Sequence, residues 1–519
     1  MRKLALFFAV AVCLSAQGLN SAALLEPPTN TWPTYNGDYS GRRFSTLSQI
    51  NQANVHSLTM AWAFQTHAPA LKSTPLEVNG VVYFSVPDHV WAVDARTGRQ
   101  IWHFRRPSEG DHIGQRGVAL YKDRVYFGTP DAHLICLDAR NGKQIWDIVV
   151  ADVKFGYYLS VAPLIVKDRL ILGTSGDQAD IPHFLEAIDP ETGRVLWRWD
   201  ALPKPGGPGS QTWPNNVSMS HGGGAMWISG TYDPKLNLLY WGTGNPHPVL
   251  AGVTRPGDNL YTCSIVAINP DTGKLVWFFQ PSPHDTHDWD AIETPVLFDA
   301  EFQGKPRKLL AQASRNGYFF LLDRETGEHL LTSQFVPSNW ASGVDSKGQP
   351  IPDKRKEPQP DGAFVKSAAN GGTNWMAPSF DPQTKLFYVN ALEGFSMWYL
   401  ALNDSDESAV DHQGGGSSSL WSQALLVALD YQTGKVCWTR KGGDGRSASG
   451  ILTTAGKLLF TGDASGNLLA LDPSNGKVLW HTYPGGALNS SPMTYELDGQ
   501  QYVLTGVDGV LYAWSLPER

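Results

Sequence analysis

Short apolar runs along this chain lead into polar turns and then resume as an apolar–polar alternation, a period of two that predicts β-strands rather than helices. One form of this junction recurs seven times: an Asp or Asn, a Gly four residues later, and usually a Trp four beyond that. The copies begin at Asp94, Asp138, Asp189, Asn269, Asp323, Asp430 and Asp472, with glycines at Gly98, Gly142, Gly193, Gly273, Gly327, Gly434 and Gly476. Trp102, Trp146, Trp197, Trp277, Trp438 and Trp480 fill the third position, and the fifth copy has Leu331 there. Each copy predicts a β-hairpin turned at its glycine, as where Leu134-Ile135-Cys136-Leu137 runs into Asp138.

The shortest spacings, 44 residues from Asp94 to Asp138 and 42 from Asp430 to Asp472, match one four-stranded propeller blade. A lone blade leaves both faces bare. Blades stacked radially cover one another, with the Trp wedged between neighbours. Scattered hairpins in a sandwich would leave a Trp at constant offset unexplained. Two wider gaps, 80 residues from Asp189 to Asn269 and 107 from Asp323 to Asp430, each hold a blade plus an insertion. The insertions fall at residues 203–224 and 338–372, both punctuated by Pro and Gly. The second precedes an expected degenerate blade containing Phe380-Asp381-Pro382 and Leu386-Phe387-Tyr388-Val389. The expected fold is therefore an all-β, eight-bladed β-propeller, a single domain over residues 24–519. Residues 502–516 alternate well and are expected to pair with the start of the mature chain and close the ring.

Residues 1–23 begin with Arg2 and Lys3, continue through the apolar run Leu4 to Val12 and end on Ser21-Ala22-Ala23, the pattern of a secretory signal peptide. No segment approaches the twenty apolar residues of a transmembrane helix, so the reading is a free periplasmic protein. Removal of that peptide takes the formal charge from −8 to −10, since Arg2 and Lys3 are its only charges. An acidic chain without a basic patch is a poor nucleic-acid binder. Cys136, Cys263 and Cys437 remain, with Cys136 and Cys437 in apolar strand phrases where buried free thiols are expected. No Cys-x-x-Cys-His occurs, so covalent haem is not expected and electrons would leave to another protein.

The chain resembles the quinoprotein alcohol dehydrogenases that use pyrroloquinoline quinone (PQQ). The resemblance rests on Trp32-Pro33 through Gly37-Asp38 and Arg43, then Leu47-Ser48-Gln49-Ile50-Asn51. It continues in Arg116-Gly117-Val118-Ala119-Leu120-Tyr121, Gly242-Thr243-Gly244-Asn245-Pro246, Arg255-Pro256-Gly257-Asp258-Asn259 and Arg315-Asn316-Gly317. Its chemical centre is His284-Asp285-Thr286-His287-Asp288-Trp289-Asp290. Read alone, that cluster is a solvated turn, or a suggestion of zinc without a compact His ligand set. The resemblance implies that Asp288 is the general base. It also places Asp290 where an added carboxylate marks lanthanide-using members, since a large trivalent cation takes more anionic oxygens than Ca²⁺ needs.

It further implies Asn245 as a neutral metal ligand, Arg315 on the quinone oxygens and Trp227 as the indole floor beneath the cofactor. Arg116 would pair a cofactor carboxylate, and Ser160 and Asn374 would hydrogen-bond to it. Taken alone, Asn245 reads as a turn residue, Arg315 as a surface Arg and Trp227 as a blade Trp. The chain departs from the family at four places. Gly110-Asp111 replaces two adjacent cysteines whose disulfide covers the quinone, and Lys72 replaces a Glu and could pair a quinone carboxylate. Ala448 stands where a Trp is expected, and Gln178 where a metal-binding carboxylate is expected, with Asp177 and Asp180 as compensating candidates.

The expected activity is oxidation of an alcohol to an aldehyde, with a lanthanide ion or Ca²⁺ as the metal and a soluble cytochrome c or similar acceptor. A cofactor-free propeller serving as an interaction or envelope-assembly scaffold, or a PQQ enzyme for sugars or aldehydes, are the alternatives. No phosphate-binding loop, His-Glu-x-x-His or Gly-x-Ser-x-Gly motif occurs.

Overall fold

The computed structural model describes residues 19, 24–25, 29–109, 114–176, 180–401 and 413–517. The signal-peptide reading, apart from Leu19, lies outside these residues, as do Gly110, Asp111, Asp177 and Gln178.

The chemistry of the repeated phrase is visible at every turn. In the first copy the Asp94 side chain accepts the backbone N–H groups of Arg96 and Thr97, both at 3.0 Å, and Gly98 N–H donates to the Asp94 carbonyl at 2.8 Å. The glycine closes the turn with a left-handed backbone, φ 69° at Gly98 and Gly142, which an L side chain resists. It also receives the indole of the preceding repeat: a Cβ on Gly142 would stand 2.6 Å from Trp102 Cε3. The same indole donates from Nε1 to the carbonyl of the residue after the next phrase's Asp or Asn. Trp102 reaches Ala139 at 2.8 Å, Trp197 reaches Pro270 at 2.8 Å and Trp438 reaches Pro473 at 3.1 Å. Trp and Gly therefore recur together because each repeat's Trp fits the next repeat's turn, combining apolar burial with a satisfied N–H. At the third junction Tyr126, not Trp146, reaches the Pro190 carbonyl, at 3.0 Å.

Among the described residues these hairpins build eight sheets of four or five strands and one two-stranded ribbon, Ala341–Val344 with Pro350–Pro352. All the larger sheets are antiparallel apart from a short parallel pairing of Phe44–Ser45 with Leu452–Thr454. Buried clusters join each sheet to the next. Ile135 and Leu137 pack with Val82 and Phe84 of the sheet before, Leu238 and Tyr240 with Leu310 and Phe320 of the sheet after, and Tyr388 with Leu459. The last sheet shares its cluster with the first, through Val503, Leu511 and Ala513 against Val90 and Trp91, so the sheets close into a β-propeller. Closure uses the front of the chain, as the alternation of residues 502–516 predicts: Thr59–Gln65 pairs antiparallel with Val510–Ser515. Trp62 on that strand supplies the missing wedge, donating to the Ala95 carbonyl at 3.0 Å and lying against Gly98.

The insertions behave as predicted. Residues 203–224 carry Asn216–Ser220, the one α-helix among the described residues, and residues 338–372 carry the two-stranded ribbon. The degenerate blade forms where Ser379–Asp381 pairs with Leu386–Leu400. One expectation fails: Cys437 is exposed, not buried, because it lies on the outermost strand of its sheet, Val436–Asp444, whose residues are mostly solvated. Cys136 and Cys263 are buried free thiols.

Glu77 is buried on the strand Leu76–Val78, with the Gly80 N–H donating to its Oε1 at 2.7 Å. Burial pushes its carboxyl up to about 8, against the smaller opposing effects of that N–H and of Arg96. An unfolded Glu titrates near pH 4.3, so folding becomes less favourable as pH rises from there towards 8. Glu77→Gln is expected to raise the melting temperature at pH 8 and to narrow the gap between melts at pH 5 and pH 8. An unchanged gap would show that Glu77 is ionised in the fold.

Candidate active site

The strand Leu275–Phe279 ends in a loop whose shape is set by Asp285. Its carboxylate accepts the N–H groups of His287 at 3.3 Å and Trp289 at 3.1 Å, curling the backbone so that Asp288 sits at φ 61°. The side chains on both sides of Asp288 turn inward. Trp289 is fully buried, stacked on His287 at 4.2 Å and packed against Trp340. Asp288 keeps a side-chain exposure of 39%, whereas that of Asp290 is 4%.

Asp290 is the meeting point of four segments. Its Oδ2 accepts Trp227 Nε1 at 2.9 Å and Arg315 Nη1 at 3.3 Å, and its Oδ1 accepts the Asn245 backbone N–H at 2.8 Å. Gly244 permits that approach, since a Cβ there would lie 3.0 Å from Asp290 Oδ1. Arg315, in the turn between Lys305–Ala313 and Tyr318–Asp323, also donates from Nη2 to Asp288 Oδ2 at 2.6 Å. The structure thus brings Trp227, Asn245, Asp288, Asp290 and Arg315 together.

Beside them, Trp227 and Trp375 form a small buried cluster with Ile292 and Met376, against which Ala448 packs. The buried Arg116 guanidinium lies 4.5 Å from the Trp375 ring centroid and 5.3 Å from that of Trp227, within cation–π range. Backbone hydrogen bonds carry Thr74 N–H to the Arg116 carbonyl and Arg116 N–H to the Ser160 carbonyl, tying neighbouring inner loops. Ser160 Oγ is 3.0 Å from Ser175 Oγ, and Asn374 donates to the Asn370 carbonyl while accepting from Trp375 N–H. Asn370 also accepts Arg315 Nε at 3.3 Å, which links Asn374 to the carboxylates.

Positive charge accumulates here. Desolvation lowers the pKa of Lys72, and Arg116 and Arg446 lower it further; Arg446 is lowered by desolvation and then by Arg315. Mutual repulsion among Lys72, Arg116, Arg315 and Arg446 costs free energy that an anion among them would offset. PQQ, a planar aromatic quinone bearing carboxylates, has the charge and shape that an indole floor with surrounding cations would hold. Arg315 itself is raised: burial opposes its charge, but Asp288 and Asp290 outweigh that, with help from Glu293 and Asp285. Glu293 is buried and pushed well above the usual carboxylate range, first by burial.

The oxygen donors suit a hard cation rather than zinc. Neither histidine of the loop joins them: His284 Nδ1 contacts the Gly257 carbonyl at 2.9 Å and His287 Nε2 the Lys356 carbonyl at 2.8 Å. Burial holds both near a pKa of about 4, and so neutral. No group of three or more His, Cys, Asp and Glu gathers among the described residues. The anionic oxygens at this point are those of Asp288 and Asp290, with Asn245 joined to them through its backbone N–H. Asp180, the proposed compensating carboxylate, is engaged by His221 at 2.8 Å and His247 at 3.8 Å.

Sequence reasoning missed Trp375, Arg446 and Glu293. Trp375 adjoins the expected Asn374, and Arg446 closes the Gly-rich run Gly442-Gly443-Asp444-Gly445, a signal of a loop at the same end of the ring. Nothing local marks Glu293.

Comparison with known proteins agrees with this fold. The family profile "Glucose/ethanol/alcohol dehydrogenase, beta-propeller domain" matches residues 32–370, and "Outer membrane protein assembly factor BamB" matches residues 422–516. Quinoprotein alcohol dehydrogenase PedH of Pseudomonas putida is 36% identical over 98% of this chain and 93% of its own. The crystal structure of quinohemoprotein alcohol dehydrogenase from Comamonas testosteroni superposes with a TM-score of 0.89 at 32% identity, covering 97% of this chain and 84% of that one. A europium-containing methanol dehydrogenase gives a TM-score of 0.86 at 29% identity, covering 95% and 99%. Fold and site together define a propeller dehydrogenase of the quinone-using class. The chain belongs to the PQQ-dependent quinoprotein alcohol dehydrogenase family.

Proposed function

We propose that this chain is a periplasmic, eight-bladed quinoprotein that oxidises an alcohol to an aldehyde, with a lanthanide ion at Asn245, Asp288 and Asp290. The observation that carries the proposal is the Asp288–Arg315–Asp290 bridge, at 2.6 and 3.3 Å, tied to the indole of Trp227. When bound, PQQ would supply the hydride acceptor and the cation would supply Lewis-acid stabilisation of the charge that develops on it. Asp288 is the part-exposed carboxylate of the pair, so its Oδ atoms can receive the hydroxyl proton of an alcohol. Arg315 holds that carboxylate in place and, with Asp290 as its second partner, remains charged throughout.

Trp227 and Arg116 orient the ring system and one of its carboxylates, with Lys72 and Arg446 adding positive charge around them. Ser160 and Asn374 offer hydrogen bonds, and Gln178 or its neighbour Asp177 completes the ligand set. No helix among the described residues is long and apolar enough to cross a membrane, and the electrons pass to an external protein such as a soluble cytochrome c. A scaffold needs neither the four clustered cations nor a buried Asp290 aimed at Trp227.

The test is to recover the protein from the periplasm, reconstitute it with PQQ and either Ca²⁺ or a light lanthanide, and follow dye-linked alcohol oxidation. Absence of both turnover and bound quinone with either metal would overturn the proposal. Asp290→Ala is expected to abolish lanthanide-supported turnover before calcium-supported turnover; equal loss with both metals would remove Asp290 from metal selection.

A further inference from the structure

Between the loop that carries Asn245 and the loop that carries Asp288 lies a guanidinium that binds the backbone of both loops without a hydrogen bond to Asn245 or Asp288. Arg255 has no solvent exposure, and its four hydrogen bonds all go to protein oxygens. Nε donates to the Pro248 carbonyl at 2.9 Å and Nη2 to the Val249 carbonyl at 2.7 Å, three and four residues beyond Asn245. Nη2 also donates to the Asp285 carbonyl at 2.5 Å, three residues before Asp288. Nη1 donates to Asn259 Oδ1 at 2.8 Å, and Asn259 Nδ2 returns a bond to the Arg255 carbonyl at 2.9 Å, so the fork is itself held. Asp285, whose backbone the fork grips, is the residue whose carboxylate curls the turn under Asp288.

We infer that Arg255 is a positioning residue that sets the separation between the Asn245 loop and the Asp288–Asp290 loop. Its consequence for metal binding rests on the function proposed above; the clamp itself does not. A planar fork with donors in fixed directions can serve four carbonyl-type oxygens from three segments at once, whereas the ammonium of Lys is a point charge that cannot reproduce that geometry. Arg255→Lys keeps the buried charge and loses the fork, while Arg255→Met loses both and leaves Asp285 without its nearest opposing charge.

The experiment measures amide hydrogen exchange and terbium luminescence, sensitised through Trp227, on the full-length protein and both variants. Faster exchange is expected in the Arg255→Lys protein at residues 245–250 and 284–290, with the strand His133–Asp138 unchanged. Tb³⁺ should bind that variant about 10–100-fold more weakly, the range for loss of a group that orients metal ligands. Native-like exchange in both segments of both variants would overturn the inference, and so would faster exchange spread evenly around the ring. If the native protein takes up no Tb³⁺ yet the two segments still loosen in Arg255→Lys, the clamp stands and the metal reading fails.

Discussion

Replacing Asp288 with Asn will lower kcat for alcohol oxidation by the quinone-loaded protein about 10²–10⁴-fold, while the melting temperature changes little. The two side chains match in size, and Asn accepts the left-handed backbone of φ 61° as readily as Asp does. What disappears is the proton-accepting oxygen and one of the two carboxylates facing Arg315. The second remains, because Asp290 still accepts from Arg315 at 3.3 Å and from Trp227 at 2.9 Å. Steady-state kinetics paired with a thermal melt check this. Turnover within tenfold of the native rate would mean that another group takes the proton.

The largest effect on stability is expected away from the site, at Arg324. This side chain bridges two neighbouring sheets: Nε pairs with Asp233 Oδ2 at 2.7 Å, Nη1 with the Phe298 carbonyl at 3.0 Å and with Asp299 at 2.7 Å. Its own carbonyl receives Tyr240 Oη at 2.7 Å and the Trp277 indole at 3.2 Å. Asp299 is open to water and can lose its partner cheaply, but Asp233 is buried. Arg324→Met therefore leaves a buried carboxylate without its cation, a change of about 3–5 kcal/mol. Denaturant unfolding reads the loss. Adding Asp233→Asn should recover a good part of it, because the stranded charge is then gone. A double variant as unstable as the single one would assign the loss to packing instead.

The ring was legible in the sequence because its joints are local: Asp or Asn, Gly and Trp at fixed offsets write a turn and a wedge into a dozen residues. Trp62 escaped that reading. It performs the wedge for the closing sheet from a strand outside any phrase, and only the pairing of Thr59–Gln65 with Val510–Ser515 gives it that place. The exposure of Cys437 likewise depends on its strand being outermost, which alternation alone does not encode. In the site, the resemblance pointed to Asp288 and Asp290 as well as to Asn245, Arg315 and Trp227, because the acidic loop read alone is a solvated turn. Contacts spanning 25 to 63 positions, such as Arg315 or Trp227 with Asp290, exist only once the blades are assembled. The cationic crowd is a collective property of Lys72, Arg116, Arg315 and Arg446, which belong to four separate loops.

Because the clasp joins the front of the chain to its end, every folding route must hold an early strand in reserve until the last one has been made. A partly synthesised chain shows two raw sheet edges, each a template for unwanted pairing with another copy. Maturation should accordingly be slow, governed by the search of Thr59–Gln65 for Val510–Ser515 across nearly the whole sequence. Once engaged, the same clasp makes fraying from either terminus unproductive, since neither end is free to peel unless the other lets go.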